Sequence, residues 1–147
     1  MTDAVGQVRD GAHVFPVRVY YEDTDAGGVV YHANYLKFAE RARTDLLRFL
    51  GVEQSRLAAD DAVVFAVRRC IVDFFKPARL DDDLEVRSRI TGLRGASLET
   101  EQSVCRGPEE LVRLSVQVAC VKQTGAGGPV RIPAAIRASL KTHFCEN

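Results

Sequence analysis

The chain lacks three features that would place it in a large class of proteins. No apolar run approaches the roughly 20 residues that span a bilayer, and the first residues lack the basic and apolar regions of a signal peptide. Twenty basic residues balance twenty acidic residues, so no general attraction to nucleic acid or to an anionic membrane surface is expected. We therefore expect a protein that neither spans a membrane nor binds nucleic acid.

A CxxC pair is also missing. The four cysteines lie far apart, at Cys70, Cys105, Cys120 and Cys145. This spacing favours neither a disulfide framework nor a metal site, and a thiol in a strand-like run acts as a small hydrophobe. The sequence therefore predicts no metal site, and a reducing cytoplasm is the simplest location.

The length of 147 residues fits one domain, since domains most often have about 100–150 residues. A hydrophobic content of 46% with 27% charged residues is typical of a globular protein. The first dozen residues are polar, so we predict a flexible leader over 1–13 and a single domain over 14–147. No repeat or linker divides the chain.

Hydrophobic spacing predicts one long helix and several strands. Apolar residues recur every three or four positions over 33–50, which is typical of an amphipathic helix, and Gly51 is a plausible end for it. Alternating or continuous apolar patterns predict strands over 14–21, 62–75, 84–91, 97–105 and 111–122. Pro133 begins a short terminal helix. Strands that follow one helix indicate an α+β fold.

The most informative segment, Tyr20–Arg43, reads YYEDTDAGGVVYHANYLKFAERAR. It places Asp23 and Asp25 before a pair of glycines, and His32 at the start of the long helix. A carboxylate can attack a carbonyl or activate water, and the free N–H groups of a helix start can hold an oxyanion. The segment therefore has the groups that a hydrolase needs.

Each of these residues also has a structural interpretation. Asp25 could cap the loop by bonding N–H groups ahead of the glycines, and a structural role is favoured for Asp23. His32 could simply pack at the helix entry. A metal site formed by these three residues is a weaker alternative, because zinc sites gather more His or Cys ligands. Glu40 is a rival catalytic acid, although an ion pair with its neighbours on the helix is the simpler interpretation.

The segment closely resembles the signature of hotdog-fold acyl-CoA thioesterases of the 4-hydroxybenzoyl-CoA thioesterase superfamily, and within it the Tol-Pal-associated, YbgC-type branch. The resemblance continues through VVFAVRRCIVDFFKPARLDDDLEV, RGASLETEQ and LVRLSVQVACV. It covers about residues 17–132, and the first segment is its specific part.

The resemblance implies a hotdog fold, in which a curved antiparallel sheet wraps one long central helix. It implies a homodimer joined edge to edge, often paired again into a homotetramer, with active sites at the dimer interface. By the same resemblance Asp25 is the catalytic carboxylate, and the N–H near His32 polarises the thioester carbonyl. The branch motif also places Tyr21 and His32 in the catalytic set, and it places Gly27, Gly28, Val29 and Tyr31 in the substrate-binding set.

The expected activity is hydrolysis of an acyl-CoA or acyl-carrier-protein thioester, with no cofactor other than the coenzyme A of the substrate. The alternative is a non-catalytic acyl-binding module, or one that interacts with an acyl carrier protein. Four basic residues are candidates for binding the coenzyme A phosphates: Arg68, Arg69, Lys76 and Arg79.

Overall fold

The computed structural model describes residues 4–144; the prediction of a cysteine role at Cys145 lies outside these residues. The strands are β1 (Gln7–Arg9), β2 (Ala12–Arg18), β3 (Val63–Phe74), β4 (Asp83–Leu93), β5 (Ser97–Arg106) and β6 (Glu109–Lys122). The helices are α1 (Asn34–Phe49), α2 (Gln54–Asp61) and α3 (Ala134–Phe144), with a short 3-10 turn at Tyr21–Asp23.

One antiparallel sheet contains all six of these strands, in the order β1-β2-β4-β5-β6-β3. Helix α1 contacts β2, β4 and β5, so the sheet covers its apolar face. This arrangement confirms the predicted α+β class with one long helix against an antiparallel sheet. Among residues 4–144, no helix combines the length and the apolarity that crossing a membrane requires.

The core forms where the strand and helix periodicities meet. Alternate residues of β6 are buried, as the period of two predicts: Val112, Leu114, Val116, Val118 and Cys120. From α1, the residues at helical spacing are buried against them: Tyr35, Phe38, Ala39, Ala42 and Leu46. The single long helix is therefore fixed in rotation by its own apolar stripe.

Helix α1 ends where the sequence predicts. Gly51 has a φ of +82°, a conformation that glycine adopts without the steric cost of a Cβ. The N–H of Val52 donates to the Leu47 carbonyl at 2.9 Å, which satisfies one of the free carbonyls of the last turn.

The prediction of a flexible leader over 1–13 is wrong for most of that range, although residues 1–3 lie outside the described part. Strand β1 pairs with β2, and the N–H groups of Val5 and Gly6 donate to the two carboxylate oxygens of Asp45 at 2.7 and 2.8 Å. The segment is ordered by a buried acid some forty residues away, which a local polar pattern cannot reveal.

Two further boundaries differ from the sequence-based prediction. Strand β2 ends at Arg18, so Tyr21 lies in the 3-10 turn instead of the strand. Helix α2 was not predicted, since its eight residues include only one large apolar side chain, Leu57. Its last turn closes on Ala62, which has a φ of +53°.

Candidate active site

The acidic segment folds as a tight hairpin between the 3-10 turn and α1. Thr24 faces Val30 in an antiparallel bridge, and the Asp25 N–H donates to the Val29 carbonyl at 2.9 Å. Gly28 closes the turn with a φ of +78°, and its N–H donates to the Asp25 carbonyl at 3.0 Å. The hairpin brings Asp25 back beside the chain that enters α1.

The Asp25 carboxylate is exposed and only partly engaged. Its Oδ1 accepts the Gly27 N–H at 2.8 Å, which is the loop-capping role that the sequence left open. Within residues 4–144 its second oxygen accepts no hydrogen bond. A Cβ at Gly27 would lie 3.2 Å from Oδ1, so the absence of a side chain at position 27 leaves room for the carboxylate in this position. One oxygen is therefore held while the other remains open to a reacting group.

Asp23 is bound by the structure around it. Its Oδ2 accepts the Tyr20 N–H at 2.8 Å. Its backbone carbonyl accepts both the Tyr31 N–H at 3.0 Å and the Asn34 side-chain amide at 2.8 Å. The first bond caps the 3-10 turn and the other two fasten it to the helix entry, which agrees with the structural role favoured from the sequence.

The start of α1 offers free backbone donors. Ala33 is the N-cap and forms no side-chain cap, while the side-chain amide of Asn34 donates to the Asp23 carbonyl. In the described part of the chain the N–H groups of His32 and Ala33 donate no hydrogen bond. Unpaired N–H groups at a helix start carry partial positive charge and favour an anion or a developing oxyanion.

Aromatic rings line the side of this helix entry. The exposed ring of His32 lies 4.5 Å from the Tyr31 ring and 6.3 Å, edge to face, from the Phe74 ring. The ring centroids of Phe74 and Tyr35 lie 5.9 Å apart. The sequence did not single out Phe74, because it lies on β3, far along the chain, and only the folded sheet brings it here. The predicted residues Tyr31 and His32 thus share one surface with it, whereas Val29 forms a bridge with Arg79.

The two tyrosines of the segment have different environments. Tyr21 is predicted at the end of a strand, but its side chain is 83% exposed because the strand ends before it. Its hydroxyl forms no hydrogen bond within the described residues. Tyr35 is buried, its hydroxyl accepts the Ala78 N–H at 2.9 Å, and burial raises the pKa of its phenol. Ala78 in turn accepts the Val30 N–H, so Tyr35 braces the hairpin.

The predicted ion pair of Glu40 with its helix neighbours is not formed among residues 4–144. Arg43 instead turns towards the sheet, where its Nη1 donates to Gln102 Oε1 at 2.9 Å. The Gln102 amide then donates to the Ala39 carbonyl and to Ser88 Oγ. Arg43 bonds to the buried amide of Gln102 instead of the Glu40 carboxylate, because Gln102 on β5 faces the inner side of the helix.

The four candidate phosphate-binding residues separate into two groups. Lys76 forms an ion pair with Glu109 at 2.7 Å. The exposed side chains of Arg68, Arg69 and Arg79 form no ion pair in the described part of the chain. These three cations are available to a phosphate. Within the same residues no group of three or more His, Cys, Asp or Glu is placed to hold a metal ion.

Comparison with known proteins places this geometry in a family. The model of the Thioesterase superfamily matches residues 27–113. The acyl-CoA thioesterase YbgC of Haemophilus influenzae is 45% identical over 131 residues, which cover 89% of this chain and 96% of that protein. The acyl-CoA thioester hydrolase YbgC of Escherichia coli is 47% identical over 128 residues, covering 86% of this chain and 94% of the relative.

A solved structure agrees with this result. A probable thioesterase from Bartonella henselae superposes with a TM-score of 0.78 at 39% identity, covering 83% of this chain and 99% of that chain. The likeness therefore extends through the sheet and the central helix as well as the hairpin.

Proposed function

The chain belongs to the thioesterase superfamily, and on that premise we propose that it hydrolyses acyl-CoA thioesters to a free acid and coenzyme A. The observation that carries the proposal is the identity of 45–47% over most of the chain to two YbgC acyl-CoA thioesterases. The hairpin supports it, because it holds a half-engaged carboxylate next to a helix start with free N–H groups.

In the proposed mechanism the thioester carbonyl lies at the start of α1, with its oxygen towards the N–H of His32 or Ala33. Asp25 acts through its free oxygen in one of two ways. As general base it removes a proton from water, whose oxygen adds to the carbonyl carbon. As nucleophile it adds directly, and water then cleaves the resulting anhydride. In both routes the C–S bond breaks, and the thiolate leaves and takes up a proton.

The other residues of the site support these steps. The bond from Gly27 to Asp25 Oδ1 limits the rotation of the carboxylate, and Gly28 closes the turn that presents it. We propose that Val29, Tyr31 and the His32 ring form the wall beside the thioester; the contacts of the His32 ring with Tyr31 and Phe74 support this for the two aromatic residues. Tyr21 is proposed to reach the bound substrate from the 3-10 turn, since its hydroxyl is free and exposed.

No cofactor other than the coenzyme A of the substrate enters this mechanism. The three free arginines, Arg68, Arg69 and Arg79, are proposed contacts for its phosphates. The same acyl group could be delivered on an acyl carrier protein, and a parallel assay with that donor separates the two. We also propose a cytoplasmic location, supported by three free cysteines, at positions 70, 105 and 120, in the described part of the chain.

We propose that the active protein is a homodimer, which can pair again into a tetramer. Strand β3 supports this, because among residues 4–144 it pairs only with β6, which leaves its outer edge free. Four large apolar side chains on or next to that strand are about half exposed: Val67, Ile71, Phe74 and Phe75. A long apolar edge strand is a template for pairing with another strand. Because Phe74 also contacts His32, a second copy there would border the site.

Thiol release from a panel of acyl-CoAs tests the activity. We expect turnover by the wild type, a loss of at least about a hundredfold in Asp25→Asn, and no change in Asp60→Asn. The side chain of this control acid is exposed on α2 and forms no hydrogen bond or ion pair in the described residues. A chelator-treated sample should keep its activity. Full activity in Asp25→Asn would contradict the mechanism, and no turnover of any thioester would favour an acyl-binding module.

A further inference from the structure

A cavity of about 140 Å³ lies between α1 and the inner face of the sheet. Most of its wall is apolar: Leu46, Leu47, Phe65, Val67, Leu98 and Leu140. Its other lining residues include Thr100, whose buried hydroxyl has no hydrogen-bond partner, and Arg43, whose guanidinium donates one hydrogen bond. An apolar cavity with a few converging polar groups is the usual form of a small-molecule site.

Thr100 is the first of these polar groups. Its side chain is buried, with the residue 4% exposed, and its hydroxyl has no hydrogen-bond partner. A buried hydroxyl without a partner destabilises a fold, so each such group calls for an explanation. On β5 it lies two residues from Gln102, on the same inward face of the strand.

Arg43 is the second. Its guanidinium has five N–H donors, and its one side-chain hydrogen bond within residues 4–144 goes to Gln102. No carboxylate in that part of the chain forms an ion pair with it. Burial lowers the pKa of Arg43, opposed by the nearby charge of Glu40. The cavity therefore contains a cation with free donors in a largely apolar surrounding.

The position of Arg43 along α1 relates the cavity to the thioester. It lies nine residues beyond Asn34, where the helix begins, and a rise of 1.5 Å per residue places it about 13 Å further along the axis. If the thioester carbonyl lies at the helix start, only the distal end of an acyl group reaches this depth. This step rests on the proposed function.

We propose that the cavity receives the distal end of the acyl group and selects acyl groups that carry an oxygen function there, a hydroxyl or a carboxylate. Either group accepts hydrogen bonds from the Arg43 guanidinium and the Thr100 hydroxyl. Glu40 lines the same cavity and discriminates between a hydroxyl and a carboxylate on the acyl group. A hydroxyl can donate a hydrogen bond to the Glu40 carboxylate, whereas a carboxylate is repelled by it.

Three series of acyl-CoAs test this selection in the wild-type protein: unsubstituted, ω-hydroxy and ω-carboxy acyl groups of matched and increasing length. We expect one length at which kcat/KM for an oxygenated acyl group exceeds that of its unsubstituted counterpart by about tenfold or more, the usual effect of a hydrogen bond to a charged group. The series that gains identifies the oxygen function. A ratio near one at every length overturns the proposal.

Two variants locate the selection. Thr100→Val keeps the shape of the side chain and removes a hydroxyl that supports nothing in the fold, so its stability is retained while the ratio falls about fivefold or more. Arg43→Gln removes the charge, and the ratio falls about tenfold or more. Arg41→Gln is the matched control, because Arg41 is exposed on the same helix and does not line this cavity. A ratio that survives in both variants overturns the proposal.

A binding measurement keeps this inference separate from the proposed activity. Absence of thiol release from every acyl-CoA would contradict the activity alone. Calorimetric titration of the wild type with free ω-hydroxy and dicarboxylic acids, against unsubstituted acids of equal length, would then test whether the cavity prefers an oxygenated acyl end. Tighter binding of an oxygenated acid that is lost in Thr100→Val supports the proposal, and equal or absent binding overturns it.

Discussion

Asp25 Oδ1 accepts a hydrogen bond from the Gly27 N–H at 2.8 Å, so the loop that carries the acid also orients it. A Cβ at position 27 would lie 3.2 Å from the same oxygen. This contact is tighter than ordinary packing, and the carboxylate would have to shift. The identity of residue 27 is therefore coupled to the geometry of the proposed reaction.

Gly27→Ala is expected to lower kcat about tenfold, because small displacements of a reacting group are costly. Gly51→Ala is the control: Gly51 has a φ of +82° with open space around it, so it suffers backbone strain of about 1 kcal/mol far from the hairpin. Steady-state kinetics together with urea unfolding separate the two effects. Equal kinetic losses in both variants would contradict the coupling.

The two acids of the hairpin should respond differently to removal. Asp23→Ala loses the acceptor for the Tyr20 N–H and should lower the free energy of unfolding by about 0.5–2 kcal/mol, the range measured for capping residues. Asp25→Ala should lose activity with a smaller change in stability, since the one hydrogen bond of its side chain lies in an exposed loop. Urea denaturation and thiol release on both variants make the comparison. A reversed pattern would exchange the roles of the two acids.

His13 is predicted to make stability depend on pH. It is fully buried, its Nε2 lies 2.8 Å from Asp45 Oδ2, and burial lowers its pKa below 6.5 although Asp45 opposes this. Just below pH 6.5, His13 therefore binds a proton more readily in the unfolded chain than in the folded chain. The free energy of unfolding should fall as the pH drops through 6.5, by no more than about 1.4 kcal/mol per pH unit.

Urea unfolding between about pH 7.5 and about pH 5.5 checks this, since carboxylates titrate at lower pH. His13→Gln, which cannot take up a proton, should flatten the dependence. An unchanged slope in that variant would assign the effect to other groups.

Gly6 is expected to tolerate no side chain. A Cβ there would lie 2.7 Å from Asp45 Oδ2, from His13 Nε2 and from the Val14 carbonyl. Gly6→Ala should lower the free energy of unfolding by about 1–3 kcal/mol, as overpacking does. At Gly95 the nearest atom is 3.6 Å away, so Gly95→Ala serves as the control and should unfold close to the wild type. Thermal unfolding measures both, and equal midpoints would mean that the N-terminal segment yields to the added methyl group.

The free edge of β3 is predicted to join two copies of the chain. Ile71→Lys places a charge on that edge, where natural sheets use lysine to prevent pairing, and should weaken the dimer about tenfold or more. Leu80→Lys changes a similarly exposed apolar residue away from the strand and should leave the dimer intact. Sedimentation velocity over a dilution series checks both variants. A wild-type monomer at every concentration would contradict the prediction.

The sequence predicts those helices and strands in which apolar residues recur at a regular spacing. Helix α1, its end at Gly51 and the inward face of β6 follow directly from the spacing of apolar residues. The hairpin could be recognised as a site because its acids and glycines are neighbours in the sequence. The family resemblance extended this to a fold and a reaction.

The polar interior could not be predicted in this way. Thr100 and Gln102 occupy inward positions of β5 where an apolar residue is expected, and Arg43 was paired with Glu40 because helical spacing makes them neighbours. Their actual partners come from other strands. Likewise β1 is only three residues long and depends on Asp45. Contacts between distant segments decide these cases, and one sequence gives no measure of them.

The two edges of the sheet differ in a way that bears on how large an assembly can grow. At one end β1 offers three residues, and at the other β3 offers twelve, whose exposed side chains include the apolar Val67, Ile71 and Phe74 beside charged ones. A sheet with two adhesive edges could add copies without limit and form fibres. With a single adhesive edge, the first pairing consumes the surface that a further copy would need in that sheet. If β3 pairs with a second copy as proposed, the asymmetry makes strand pairing self-terminating.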